Sequence, residues 1–436
     1  MIEMNICYRF DPIYWQTACM TVDAGLAGDQ SESVNYDKLA TAVGKLKSKM
    51  MPPTINKSGI GFTPDVENGK ILFGLKPITG LGDAQIETII KNRPYASFEE
   101  FYEKNKEEAG FTPRVFVTLI KSGVFDEFEP SRRKMMVDYI NLSIPKKKKL
   151  TMANLPKVLE CMDDKDIIAK HKKEIDLYTF KNKAFGRGAK MTQALMEQFL
   201  EEYSDAEIVM KNKTEKIAYH FDYEGNLQID AKSFKKYYDR NTEGLKSIIA
   251  SDSSLEIYNK YEKREFWKTF CLGTEEAWEM EALAFYHDKH EFEGTDINTL
   301  YNVADFNEMS EDPTVVEKRK WGKRDIYIYQ IQTIAGTVIS KDKNKGLLSI
   351  LTETGVVQVK YNRDQFAFYN RKDVETVNGE KVVTSDTWFK RGSIVVIHGF
   401  RRGETFVPKV YKNTGYDNTT QKITIRNKKA YVTFEK

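Results

Sequence analysis

Near residue 325 the apolar residues of this chain change their spacing, and that change constrains the fold more than any other feature. Downstream they recur with period two or in short apolar runs: Ile326 and Ile328, then 334–339, 347–351, 356–359 and 393–397, separated by Gly, Lys and Asn turns. Such segments read as about five short strands, and with a longer, partly helical insertion at 363–390 they suit a small Greek-key barrel, the OB-fold. Upstream the spacing is helical. Trp15, Ala18, Cys19 and Val22 form one face, Leu39 and Val43 another, and Val115, Phe116, Leu119 and Ile120 a third. Residues 54–70 lack helix signals and carry Asn68-Gly69, which predicts loops and a hairpin. The fold class is therefore α+β and multidomain, mainly helical over the first two-thirds with a β-barrel at the C-terminal end.

Composition narrows the function classes. A chain of 436 residues exceeds the roughly 250 at which a single core stops growing, so several domains are expected. No apolar run approaches the ~20 residues that cross a bilayer. Glu3, Arg9 and Asp11 stand where a signal peptide needs its apolar core, which places the chain in the cytoplasm. Cys7, Cys19, Cys161 and Cys271 are scattered and fit neither zinc nor a disulfide framework. The 67 basic and 64 acidic residues leave a formal charge of only +3, so a nucleic-acid footprint would have to be local.

The segment Ile78-Thr79-Gly80-Leu81-Gly82-Asp83 is the most informative motif. It reads as a helix, a tight glycine turn and a second helix over 84–91. Two glycines let the backbone bend and aim N–H groups from the start of the following helix, a nest that suits phosphate oxygens. Lys76 and Lys91 add charge and Leu81 anchors the turn; the bland alternative is an ordinary helix connection. A dinucleotide-binding reading is weaker, because Gln85 stands where a third small residue is needed. A second hairpin is expected at Lys121-Ser122-Gly123-Val124, although a lone glycine after a helix is more often its C-cap. Paired helix-hairpin-helix units can grip both backbones of a duplex.

In the barrel, Tyr327, Tyr329, Tyr361, Phe366, Phe368 and Tyr369 interleave with cations, as single-strand binding requires, though about half of such aromatics belong in a core. The turn holding Lys341, Lys343 and Lys345, together with Arg401 and Arg402, is the better candidate contact. The only dense carboxylate group, Asp163, Asp164 and Asp166, precedes a helix and reads first as an N-terminal cap, with a nuclease as the sharper alternative. His287 and His290 lack a third ligand, and no nucleophile has a recognisable partner. Gln193, Met196, Phe199 and Leu200 have the spacing of a sliding-clamp peptide and equally of a helix face. Residues 216–229 alternate like a small hairpin.

Several stretches together resemble the alpha subunit of bacterial DNA polymerase III, the C-family replicative polymerases, and especially its phage-type members. They are Tyr14-Trp15-Gln16-Thr17-Ala18-Cys19, Met51-Pro52-Pro53-Thr54-Ile55-Asn56-Lys57-Ser58, residues 71–82, and Leu119-Ile120-Lys121-Ser122-Gly123-Val124-Phe125-Asp126. Glu279-Met280-Glu281-Ala282-Leu283-Ala284-Phe285-Tyr286 resembles the element that precedes the family's OB domain, with His287-Asp288-Lys289-His290 in place of the family's Gly-His-Pro continuation. The resemblance implies a fingers-like end at 1–70, a tandem helix-hairpin-helix at 71–142, a mainly helical connection at 143–320, an OB domain at 321–415 and a basic tail at 416–436. It further implies a DNA-holding, non-catalytic C-terminal half that contacts primer-template and single-stranded DNA. Catalytic aspartates and Mg²⁺ would lie in a palm on another segment or partner, and a sliding clamp is a further partner. A stand-alone replication or repair accessory with the same modules is the alternative.

Overall fold

The computed structural model describes residues 9, 12–26, 34–46, 49–144, 150–160, 165–185, 219–221, 227–229, 238–287, 289–321, 324–377, 380–411, 419–426 and 428–432. It divides into two compact units, Met1–Val137 with Gly273–Lys436, and Asp138–Leu272.

The larger unit opens with helices α1 (Pro12–Asp23) and α2 (Tyr36–Leu46). Strands β1 (Met50–Met51), β2 (Thr63–Asp65) and β3 (Lys70–Leu72) form a small sheet in which β3 is central, parallel to β1 and antiparallel to β2. The β2–β3 turn closes at Asn68-Gly69, where the Asp65 carboxylate accepts from the Asn68 backbone and side-chain N–H groups. Four helices follow: α3 (Asp83–Lys91), α4 (Phe98–Asn105), α5 (Pro113–Ser122) and α6 (Arg132–Ser143). The unit division falls within α6. Ser97 Oγ accepts from Glu100 N–H and Glu100 accepts in turn from Ala96 N–H, a reciprocal cap that starts α4. Pro113 sits in the first turn of α5, where its missing N–H costs nothing. Phe98, Phe101, Phe116 and Phe125 fill the space among these helices, with edge-on ring contacts.

The C-terminal part is a closed five-stranded barrel. Strands β8 (Gln332–Asp342), β9 (Leu347–Thr352) and β10 (Gly355–Lys360) form an antiparallel meander. Strand β10 then pairs in parallel with β14 (Thr405–Pro408), which is antiparallel to β13 (Ile394–Arg402), and β13 closes on β8. Helix α13 (Arg363–Asn370) and the hairpin β11 (Asp373–Val377) with β12 (Glu380–Ser385) connect β10 to β13. This order is that of an OB-fold. Val338, Leu348, Ile350, Val357, Val359, Val395 and Phe406 fill the barrel together with Tyr361, Phe366, Tyr369 and Trp388. Strand β13 is buried on both faces: Ile394 and Val396 meet a second cluster with Ala335, Ile423 and Ala430, below the hairpin β15 (Thr420–Arg426) and β16 (Lys429–Val432). That explains its unbroken apolar run.

Two strand expectations need correction. Ile326 and Ile328 belong to a separate ribbon, β6 (Val315–Trp321) with β7 (Arg324–Tyr329), and not to the barrel. The fifth barrel strand is β14, whose four residues end in proline and give too short a pattern to register.

In the larger unit, helices α11 (Glu275–Leu283) and α12 (Ile297–Tyr301) precede the ribbon. The second unit contains α7 (Leu155–Glu160), α8 (Lys165–Phe185), the hairpin β4 (Tyr219–Phe221) with β5 (Leu227–Ile229), α9 (Glu243–Ala250) and α10 (Ser254–Phe270). Leu150, Leu155, Val158, Leu159 and Leu245 form its core. The Glu174 carboxylate accepts from Leu245 N–H at 2.9 Å and so caps the start of α9 from another helix. The lysine run at 146–149, which in sequence separates the helix-hairpin-helix region from the helical connection, lies outside the described residues, as do 163–164, 193–200 and the side chain of Asp166.

Candidate nucleic-acid interface

The glycine turn begins where β3 ends. Leu75 and Lys76 donate their backbone N–H groups to Gly59 and Ile60, which holds the chain as a ribbon up to Pro77. Ile78 and Leu81 are buried while Gly80 and Gly82 are exposed. No helix precedes the turn; strand β3 and a run of turns take its place, which corrects the helix expected there. Gly80 has φ +76°, and an added Cβ there would meet nothing within 4 Å. Gly82 is the N-cap of α3 and supplies no side chain of its own. Among the described residues no backbone carbonyl accepts from Gly80 or Gly82 N–H, so the turn presents free donors at a helix start.

The charges around this turn are arranged differently from the expectation. Lys76 is ion-paired with Asp83 in the first turn of α3. Thr79 donates its N–H to Ala282 and its hydroxyl accepts from Arg391 at 2.8 Å. Lys91 is exposed but sits at the far end of α3, about 12 Å from the turn at ~1.5 Å rise per residue.

Residues 121–124 differ from the first turn in lying at a helix end, with their side chains turned inward. Gly123, at φ +79°, is the left-handed C-cap of α5. Ser122 is fully buried and donates to Leu119 O. The Lys121 side chain is only 5% exposed; its ammonium pairs with Glu281 at 2.6 Å and lies 5.8 Å over the Trp278 ring. Next to it Arg132 bridges Asp126 at 2.9 Å and the buried Glu279 at 3.3 Å. Burial alone would lower the Arg132 pKa, but these two carboxylates outweigh it and hold the guanidinium above its ordinary value. The same segments tie the apolar frame together: Ile55 donates to Val124 O, and Asn56 holds Tyr95 through two hydrogen bonds of 2.9 Å.

The connection that does lie beside the glycine turn is the α4–α5 loop, 106–112, where Thr112-Pro113 reads as a helix start in sequence and Gly110 carries no site expectation. Gln85 of α3 donates to Gly110 O at 3.3 Å, and a Cβ on Gly110 would lie 2.2 Å from that side-chain nitrogen. Two loops, each leading into a helix start, are thereby joined by one glutamine. Thr112, the N-cap of α5, has no side-chain cap hydrogen bond, and Thr112 and Arg114 are exposed. The sequence signal was present in Gly110-Phe111-Thr112-Pro113, a glycine two residues before a helix start.

On the barrel, Lys343 and Lys345 are exposed in the β8–β9 turn. Lys341 is half-buried and donates to Asn370 at 2.6 Å; burial, then the neighbouring Lys343, pushes its pKa down. Arg401 turns inward to the carbonyls of Phe306, Met309 and Gly403, whereas Arg402 is exposed. Helix α2 covers the outer face of β8 to β10: the Asp37 carboxylate accepts from Ser340 at 2.7 Å and Ser349 at 2.8 Å. Arg391 stacks 4.0 Å over Tyr36 and donates to Ile339 O as well as to Thr79. A cavity of about 510 Å³ remains between α1, α2 and β10, lined by Trp15, Met20, Lys45 and Gln358 among others. His287 and His290 serve packing: His287 contacts Met50 O, and His290 accepts from Phe292 N–H between the Tyr286 and Phe292 rings. Among the described residues no three His, Cys, Asp or Glu side chains converge as a metal site, and no helix is long and apolar enough to cross a membrane.

A helix-hairpin-helix motif family matches residues 47–135, which include both loops. A probable DNA polymerase of Bacillus subtilis, YorL, is 33% identical over 97% of this chain, and so is a DNA-directed DNA polymerase of Bacillus phage SPbeta. The DNA polymerase III alpha subunit of Streptococcus pyogenes is 35% identical over 24% of the chain. The chain spans 33% of the length of the first two relatives and 10% of the third.

Proposed function

From the premise that this chain is a relative of the DNA polymerase III alpha-type polymerases, matching about a third of the length of its phage-type kin, we propose that it is the DNA-holding, non-catalytic part of such a polymerase. The observation that carries this reading is the pair of loops at 79–82 and 106–112, joined through Gln85 and Gly110 inside the stretch matched by the helix-hairpin-helix motif. The first loop leads into a helix start whose glycine N–H groups have no backbone acceptor among the described residues, and the second exposes Thr112 and Arg114 at the start of α5; two such starts side by side suit the phosphates of a duplex. Gly80, Gly82, Gly110, Thr112 and Arg114 would make those contacts, with Lys91 adding charge at a distance. Lys76, Lys121, Ser122, Lys341 and Arg401 would act by holding the frame. Single-stranded template would meet the barrel's exposed cations, Lys343, Lys345 and Arg402.

The nucleotidyl-transfer chemistry, with its carboxylates and Mg²⁺, would reside in a palm outside this chain, and this chain would keep primer and template aligned with it in the cytoplasm. A sliding clamp is a further candidate partner. The test is fluorescence anisotropy of the chain on labelled primer-template, blunt duplex and single strands across a salt series, followed by addition of a palm-bearing polypeptide. Salt-sensitive binding that prefers the junction, with restored synthesis, is the expected result. Tight DNA binding without restored synthesis would point to a stand-alone accessory, and no binding at low salt would overturn the proposal.

A further inference from the structure

The β6–β7 ribbon is exposed along most of its described residues. Val315, Val316, Ile326 and Tyr327 are 49%, 66%, 39% and 43% exposed, on both faces of two paired strands. An isolated two-stranded ribbon is marginal in water, and exposed β-branched and aromatic residues on it mark a surface that meets a partner. Its charge indicates the chemistry of that partner: from 315 to 329 basic residues outnumber acidic ones five to two, a net +3 equal to the formal charge of the whole chain. The ion pairs within it, Lys318 with Asp325 and Arg319 with Glu317, are solvent-exposed and so hold their cations only weakly.

One face of the ribbon is ordered as a track. Lys318 lies opposite Tyr327 in the strand register, with its ammonium 5.4 Å from the ring. Tyr329 shares that face by the period of two. Its ring is 4.8 Å from Phe400 of the barrel, and the exposed Arg402 lies 5.7 Å over it. Tyr329 N–H donates to the Tyr411 hydroxyl at 2.9 Å, and Lys409 is 5.7 Å from the Tyr411 ring, which is 37% exposed. Aromatic faces alternating with cations over several residues are what unpaired bases and their phosphates require, and a stacked duplex offers no base face to them. The strand face of the barrel that could compete is covered by α2 through Asp37.

Resting on the proposed function above, we propose that single-stranded nucleic acid runs along the ribbon face of Lys318, Tyr327 and Tyr329 to Arg402 and Tyr411, and not across β9 and β10. The test uses the full chain and a labelled oligothymidylate beside a blunt duplex. A Tyr327→Ala, Lys318→Ala double variant should bind the oligothymidylate roughly tenfold more weakly, the loss of one stacking platform and one cation, with duplex affinity unchanged. Gln358→Ala, on the covered face, should leave both unchanged. In the wild-type chain, cross-links from a bromouracil-substituted oligonucleotide should map to Tyr327 or Tyr411. Undiminished single-strand binding by the double variant, as a protein-binding ribbon would give, overturns the inference, as do cross-links confined to β9 and β10. A wild-type chain that binds duplex but no single strand overturns this inference alone; one that binds neither overturns the proposed function as well.

Discussion

The turns at 79–82 and 121–124 look alike in sequence, each a glycine among apolar residues beside a helix with a lysine nearby, yet the molecule uses them in opposite ways. The first lies at a helix start, with exposed glycines and outward N–H groups. The second lies at a helix end, where Gly123 supplies the left-handed cap and its neighbours are buried. Helix polarity decides the difference: a start offers donors to an anion, and an end offers carbonyls that must be satisfied from within. Lys121 shows the consequence, since its side chain is buried and its charge is answered by the carboxylate of the exposed Glu281.

Substitutions can break this contrast. The largest effect should come from Gly123→Val. The positive φ is strained for valine, and its Cβ would lie 2.5 Å from Arg132 and 2.7 Å from Asp126. Disrupting a buried ion pair costs about 3 to 5 kcal/mol, so a loss of that order in chemical denaturation is expected. Gly82→Val should instead leave folding nearly intact and lower duplex affinity by about tenfold, roughly 1.4 kcal/mol, because its Cβ would displace Gln85, whose Oε1 lies 2.6 Å away. If the two variants exchanged phenotypes, the assignment of turns would be wrong.

Two smaller effects sharpen the same comparison. Lys121→Ala should lower stability by about 1 to 3 kcal/mol, the loss of a charged hydrogen bond and of the buried side chain's contact with Trp278, while leaving the salt dependence of DNA binding unchanged; Arg114→Ala should reduce the salt slope by roughly one phosphate equivalent and leave stability unchanged. Ala284 is a helix C-cap held at φ +65°, a conformation that costs a side chain about 1 to 2 kcal/mol. Ala284→Gly should therefore raise the unfolding free energy by up to about 1 kcal/mol after loss of the buried methyl. A drop in stability would mean that the methyl packing outweighs the backbone strain.

The barrel, the glycine turn and the division into helical and strand-rich parts were legible because they depend on local spacing. The alternation that stops at 360 and resumes at 393 marks the insertion of α13 and the β11–β12 hairpin. What local pattern could not carry was pairing between distant segments. Strand β14 has four residues, and only its parallel contact with β10 identifies it as the barrel's closing strand. Arg401 and Arg402 are neighbours of one chemistry, but alternation along β13 sends the first into carbonyls and the second to solvent. The placing of the loop at 106–112 beside the glycine turn was not legible because it depends on a contact with Gln85, which lies 25 residues from Gly110 in sequence.

The contact of α2 with the barrel bears on how such a chain can evolve. Asp37 satisfies two serines of the strand face, and Arg391 reaches from the barrel to Tyr36 and Thr79 at once. The barrel is therefore not a portable part. A recombination event that moved residues 332–408 into another protein would carry Ser340, Ser349 and Arg391 away from their partners, so inheritance should keep Tyr36, Asp37 and Thr79 together with the barrel, even though about 250 residues or more separate them along the chain.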